Sequence, residues 1–198
     1  TGARVQKELP DCTVLDGCIY VSASLEHPGV LVQHGPILRV VFGSRNPSYI
    51  SPILSAIQSD LCESGIDGVL STHIQRDALE KFSYVSPIGA AGVYLHAVAG
   101  DFQKEGAARE LFKSMIREIS TLAAAMGYPF EKDYVKINLE ILSNLSADAT
   151  TSMQRDIMEG KPSELDGLVM EPLRLAKKYS VSMPCYEEVA NALCPLEF

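Results

Sequence analysis

ARELFKSMIREISTLAAAM, residues 108–126, places Leu111, Met115, Ile119 and Leu122 on one helical stripe and sets charged side chains opposite. Gly127-Tyr128-Pro129 stops the pattern. Working outward, nearly everything after His73 carries the same signature. RDALEKFSYV, residues 76–85, leads into SPIGAAGVYLHAVA, residues 86–99, whose small residues permit a close-packed helical neighbour. Ser86-Pro87 predicts a bend there, because proline removes a backbone donor. Downstream, residues 133–160, 163–180 and 186–194 continue the helical reading, with Gly160-Lys161-Pro162 as the clearest break. Ser163 and Asp166 have the spacing of a capping box, which makes Glu164 a first-turn acid.

The opposite direction reads differently. Residues 14–43 are rich in β-branched side chains and are cut by His27-Pro28-Gly29 and Gly35-Pro36. The spacing predicts three short strands in an antiparallel meander with no βαβ unit. After Asn46-Pro47 a helix is expected, capped by Ser48 or Ser51, carrying Ile53, Leu54, Ile57 and Leu61, and closed by Gly65. Residues 66–70 read as one more strand. The expected fold class is therefore mainly α: a bundle of five or six helices preceded by a few β-strands. So small a β portion cannot bury its own apolar face and is expected to complete a sheet that lies upstream.

Composition narrows the function classes. The 198 residues are 46% hydrophobic and 21% charged, with 17 Lys and Arg against 25 Asp and Glu, a net charge of −8. No basic stripe is available for phosphates, so nucleic acid is not an expected partner. No apolar run reaches the roughly 20 residues of a membrane helix, and the first residues lack a secretory pattern, so a cytoplasmic location is expected. The five cysteines (Cys12, Cys18, Cys62, Cys185 and Cys194) form no C-x-x-C, and the four histidines form no metal-binding pair; neither a disulfide framework nor a metal site is expected.

One block carries more specific information. TTSMQRDIMEGKPSELD, residues 150–166, resembles the C-terminal domain of the ketopantoate reductases (2-dehydropantoate 2-reductases) through Ser152-Met153, Asp156, Gly160 and Glu164-Leu165-Asp166. LEKF, residues 79–82, is similar to the segment that opens the long helix of that domain, and VLDGCIYVSASLEHPGVLVQHG, residues 14–35, is similar to a strand segment of the family. The resemblance implies a Rossmann domain followed by a helical domain of the 6-phosphogluconate dehydrogenase C-terminal type. It thus divides this chain into residues 1–70, the last strands and linker helix of a truncated dinucleotide-binding domain, and residues 71–198, the helical domain. No G-x-G-x-x-G follows a strand, and the chain starts on Thr1. The resemblance thereby implies a C-terminal portion that neither binds NADPH tightly nor turns over alone.

The implied activity is NADPH-dependent reduction of 2-dehydropantoate to pantoate, in pantothenate biosynthesis. Lys81 matches the family's catalytic lysine and would serve as general acid, since hydride addition to a ketone builds an alkoxide that an ammonium stabilises and protonates. Glu164 matches the acidic site residue and Ser152 a substrate-contacting serine. A homodimer is compatible with the resemblance, which leaves the number of subunits open. Where the family has two asparagines, four and eight residues after the lysine, this chain has Val85 and Gly89. That departure keeps open a reductase of a different 2-keto acid, and beside it a non-catalytic helical module that binds a partner or self-associates.

Overall fold

The computed structural model describes residues 2–46 and 48–193, and these divide into two compact units whose boundary, between Ala78 and Leu79, falls inside one long helix. Cys194 lies outside the described residues. The fold is mainly helical with a small sheet, as the sequence indicates.

The first unit begins with α1 (Gly2–Glu8), followed by β1 (Leu15–His27) and β2 (Val30–Ser44). These pair antiparallel from Leu15 opposite Ser44 to His27 opposite Val30, so the chain reverses once, at Pro28-Gly29. Gly29 takes the positive φ of 86° that this tight turn needs. The expected reversal at Gly35-Pro36 does not occur. The chain bulges there instead: β1 pairs Val21 with Leu38 and then Ala23 with Gln33, leaving residues 34–37 of β2 out of register.

A second correction concerns connectivity. From β2 the chain passes through α2 (Pro52–Glu63) to β3 (Asp67–Leu70), which pairs parallel with β2 from Arg39–Asp67 to Phe42–Leu70. The expected meander is thus a hairpin joined to a βαβ unit. Ser51, not Ser48, caps α2 by accepting from the Ile53 N–H, and Pro52 occupies the first turn, where its missing donor costs nothing. Gly68 lets α2 lie on β3: a Cβ there would sit 2.9 Å from the Leu61 Cβ. Cys18, Val41 and Ile74 form the small core of this unit, with Tyr20, Val69 and Ala78 against them.

The second unit is the bundle. It contains α3 (Ile74–Leu95) from Leu79 onward, α4 (Ala99–Gln103), α5 (Ala107–Ala125), α6 (Tyr134–Ser143), α7 (Ser152–Met158), a π-helical turn over Asp166–Met170, α8 (Glu171–Tyr179) and α9 (Pro184–Leu193). Residues 133–160 are thus two helices with a loop between them rather than one run. The centre is α5, against which α4, α6, α8 and α9 pack. Met115, Ile119 and Leu122 of the stripe read from the sequence are buried, Phe112 and Ile116 widen it, and Leu111 packs partly buried at its edge. Burial of each such side chain contributes about 1.5–3 kcal/mol. Phe102 and Tyr84 meet the Phe112 ring edge-on, at 5.9 and 6.0 Å between centroids.

The small residues of α3 act as expected. A Cβ on Gly89 would lie 3.1 Å from the Met153 Cε, and one on Gly92 would lie 2.7 Å from the Gln154 Cδ, so the start of α7 rests directly on this stretch of helix. The bend expected at Pro87 is not a break: α3 runs through it without interruption.

Candidate functional site

The three residues singled out from the sequence sit on three different segments of the helical unit. Lys81 is half-buried on α3. Its turn is fixed by buried polar groups: the Ser83 hydroxyl donates to the Glu80 carbonyl at 2.7 Å, and the Asn138 side-chain amide, from α6, donates to the Ser83 carbonyl at 3.0 Å and reaches the Ser83 hydroxyl at 3.1 Å. The Ser83 carbonyl needs this outside donor because the residue four positions on is Pro87, which has no N–H.

Ser152 is exposed at the first position of α7. The capped start here is made by its neighbour. The Thr151 hydroxyl accepts from the Gln154 N–H at 3.2 Å, and the Gln154 side chain accepts from the Thr151 N–H at 2.9 Å, a complete capping box. The box expected at Ser163 and Asp166 is not formed. Asp166 instead takes a two-pronged contact from the Arg174 guanidinium, at 2.9 and 2.8 Å, and Arg174 also reaches Glu171. The Arg174 hydrogen bonds hold the Asp166 carboxyl below its ordinary range.

Glu164 is exposed on the bend that precedes the π-helical turn, and its carbonyl accepts from the Leu168 N–H at 2.9 Å. It is mounted at the start of a helix, as expected, but by the chain's own backbone bonding rather than by a Ser163 cap.

The structure brings the three backbone segments together on α3. Gly89, about 12 Å along the helix from Lys81 at 1.5 Å per residue, touches Met153 and lies 3.8 Å, measured from an added Cβ, from the Thr151 hydroxyl. Ser86 donates to the Leu168 carbonyl at 2.6 Å, one turn beyond Glu164. Val85 is half-buried and Gly89 buried, so the face of α3 that follows Lys81 offers an apolar side chain and then bare backbone, not amides.

Two polar residues that organise this region, Ser86 and Asn138, are not site candidates on the sequence, where Ser86 figures only beside Pro87 as a bend. The available signal was proline: Pro87 and Pro172 each deprive a carbonyl four residues earlier of its usual helical donor, and each of those carbonyls has a buried side-chain donor instead.

The strand-to-helix passage from β2 to α2 runs through Ser44, Arg45 and Asn46 without a second glycine, so this passage does not carry the Gly-rich turn of a dinucleotide site. Among the described residues no group of three or more His, Cys, Asp or Glu is placed to hold a metal ion, and no helix is long and apolar enough to cross a membrane.

Residues 73–197 match the family described as "Ketopantoate reductase PanE/ApbA C terminal". The chain is 23% identical over 176 residues to the uncharacterized oxidoreductase YkpB of Bacillus subtilis (strain 168), covering 89% of this chain and 58% of that protein. Its structure is similar to the crystal structure of 2-dehydropantoate 2-reductase from Methylococcus capsulatus, with a TM-score of 0.84, 22% identity, and coverage of 96% of this chain and 60% of that one. It is also similar to D-mandelate dehydrogenase in complex with NADH, with a TM-score of 0.82, 18% identity, and coverage of 96% and 64%. The chain therefore spans about three-fifths of the length of these relatives.

Proposed function

This chain belongs to the ketopantoate reductase family through its C-terminal part, and on that premise we propose that it is the C-terminal portion of an NADPH-dependent reductase that converts 2-dehydropantoate to pantoate in pantothenate biosynthesis. The cofactor, which supplies the hydride when bound, belongs in this reading to a preceding nucleotide-binding domain of which residues 1–70 are the last part. A cytoplasmic location and a homodimeric assembly go with the same proposal.

The roles assigned to this chain's own residues are those of the family residues they match, and the chemistry of each group suits its role. Reduction of a keto carbon leaves negative charge on its oxygen, and the Lys81 ammonium is the group we assign to stabilise that oxygen and give it a proton. Glu164 can only accept hydrogen bonds when ionised, which suits a substrate hydroxyl. The Ser152 hydroxyl can donate to a substrate carboxylate. The observation that carries the reading is convergence: the segments holding Ser152 and Glu164 both dock on the helix of Lys81, through Gly89 and Ser86.

A second reading, reduction of a different 2-keto acid, is favoured by Val85 and Gly89. A site that lacks amide side chains at these two positions is suited to a substrate with fewer polar groups to pair.

One experiment separates them. The full-length protein is assayed for NADPH oxidation with ketopantoate beside a panel of 2-keto acids, as wild type and as Lys81→Ala. Turnover on ketopantoate that falls by about 10²–10⁴-fold in the variant supports the proposal. Turnover on another acid alone keeps the roles and changes the substrate. Absence of turnover across the panel rejects both and leaves a binding module.

A further inference from the structure

Ser86 is wholly buried in the middle of α3, five residues after Lys81. Its hydroxyl oxygen lies 2.6 Å from the Leu168 carbonyl oxygen and 2.5 Å from the phenol oxygen of Tyr186, on α9. A serine hydroxyl carries one hydrogen and a carbonyl can only accept. Ser86 therefore donates to Leu168, and Tyr186 donates to Ser86. The Leu168 carbonyl has no donor at the usual helical position, because that residue is Pro172. The Leu168 N–H in turn donates to the Glu164 carbonyl at 2.9 Å. An unbroken path of hydrogen bonds thus runs from the Lys81 helix, through Ser86, to the turn that carries Glu164.

We propose that Ser86 is a positioning residue for the reduction, fixing the Glu164 turn at a set place on the Lys81 helix. The inference rests on the roles given to Lys81 and Glu164 above. Its physical basis is specific to the hydroxyl. Alanine at this position would take the side-chain donor from the part-buried Leu168 carbonyl and the acceptor from the buried Tyr186 O–H. The turn would then settle elsewhere. A shift of about 1 Å in a group that orients substrate can cost on the order of 10²-fold in rate. The π-helical turn over Asp166–Met170 adds to the need for an anchor, since its widened hydrogen bonding supplies fewer regular backbone partners.

The test compares wild type, Ser86→Ala and Tyr186→Phe in the full-length protein, by steady-state kinetics across pH on the keto acid it reduces and by amide hydrogen exchange. In Ser86→Ala, kcat should fall at least about tenfold with KM little changed and the pH–rate profile displaced. Exchange in residues 164–173 should quicken at least about tenfold while α5 is unaffected. Tyr186→Phe, which keeps the bond from Ser86 to Leu168, should retain kcat within about threefold despite a lower melting temperature. If Ser86→Ala does not fold, Ser86→Cys carries the same test, and its weaker donor should give an intermediate kcat. A folded Ser86→Ala protein with wild-type kcat and pH profile overturns the proposal, as does unchanged exchange in residues 164–173. A wild-type protein that reduces no keto acid overturns the functional reading and the positioning role with it. Quickened exchange in that case would show a tie that is structural only.

Discussion

The side-chain amide of Asn138 donates to the main-chain carbonyl of Ser83 at 3.0 Å, across two helices and inside the core. That carbonyl would face an N–H four residues on in an ordinary helix, but position 87 is proline. α3 therefore runs from Ile74 to Leu95 without a break because a neighbouring helix supplies the donor its own backbone lacks. The turn stabilised in this way is the one that carries Lys81.

Asn138→Ala should destabilise the protein by about 1–3 kcal/mol, the cost of a buried carbonyl left without a partner. The same substitution in a Pro87→Ala background should cost clearly less, since the restored N–H at position 87 can donate to the Ser83 carbonyl as in a regular helix. Urea denaturation of the four proteins measures the coupling as a double-mutant cycle. Equal costs in both backgrounds would show that Asn138 acts through packing rather than through the orphaned carbonyl.

Two tyrosines of the bundle should respond in opposite directions to loss of the hydroxyl. Tyr84 has its oxygen buried without a hydrogen-bond partner among the described residues, and burial pushes its phenol up to about 12. Tyr84→Phe should thus raise stability by about 1 kcal/mol, whereas Tyr186→Phe should lower it by about 1 kcal/mol by removing the donor to Ser86. Thermal melts of the two variants decide the matter.

The pH dependence follows from the sign of the same shift. A phenol whose folded value lies above its unfolded value of 10.0 contributes stability that is intact below about pH 10 and is lost as the pH rises towards 12. The wild-type protein should therefore lose stability across that window, and Tyr84→Phe should lose less of it. Tyr186, raised further still by burial, keeps part of the slope in the variant. A slope unchanged by Tyr84→Phe would place the alkaline sensitivity elsewhere.

What the sequence disclosed divides along the range of the interactions involved. The bundle was legible because α5 alternates apolar and charged side chains at the helical period, a local signal. Gly35-Pro36 was misread because a turn dipeptide marks irregular backbone without saying whether the chain reverses there or bulges, and only its pairing with β1 decides. The parallel pairing of β3 with β2 had a mark in the strand–helix–strand order, but the meander reading covers only residues 14–43 and stops before that helix and the short strand after it. Of the candidate site, Lys81, Ser152 and Glu164 stand out only through the family resemblance of the runs that hold them; read alone, they are a helix charge, a helix serine and a first-turn acid. Ser86 and Asn138 do not stand out, because a serine or asparagine within a helix looks the same whether it meets water or an orphaned carbonyl.

The two glycines of α3 that face α7 should tolerate alanine unequally. At Gly89 the nearest atom to an added Cβ is the Met153 Cε, the mobile end of a flexible side chain, at 3.1 Å. Alanine also gains about 1 kcal/mol of helix propensity there, so Gly89→Ala should be at least as stable as wild type. At Gly92 three atoms of the Gln154 amide lie within 2.8 Å of an added Cβ, and that amide is held by the Ala97 carbonyl at 2.7 Å and the Thr151 N–H at 2.9 Å. Gly92→Ala should cost about 1–3 kcal/mol despite the same gain in propensity. Equal stabilities would mean that α7 moves off α3 freely.

The chain is punctuated differently before Ser152 and before Glu164. Both Thr151 and Ser163 stand where a capping residue could stand, and the sequence favours Ser163 with its acid three residues on. The structure gives the capping box to Thr151, whose partner Gln154 also reaches the Ala97 carbonyl just beyond α3. Thr151→Ala should accordingly cost about 1 kcal/mol, and Ser163→Ala should stay within about 0.5 kcal/mol of wild type. Because the cap holds the backbone from which Ser152 projects, Thr151→Ala should also speed amide exchange at the start of α7, while Ser163→Ala leaves Glu164 and Leu168 unchanged. Chemical denaturation with peptide-resolved exchange reads both effects at once. A larger loss in Ser163→Ala than in Thr151→Ala would mean that the Ser163 cap, and not backbone bonding from Leu168, mounts Glu164.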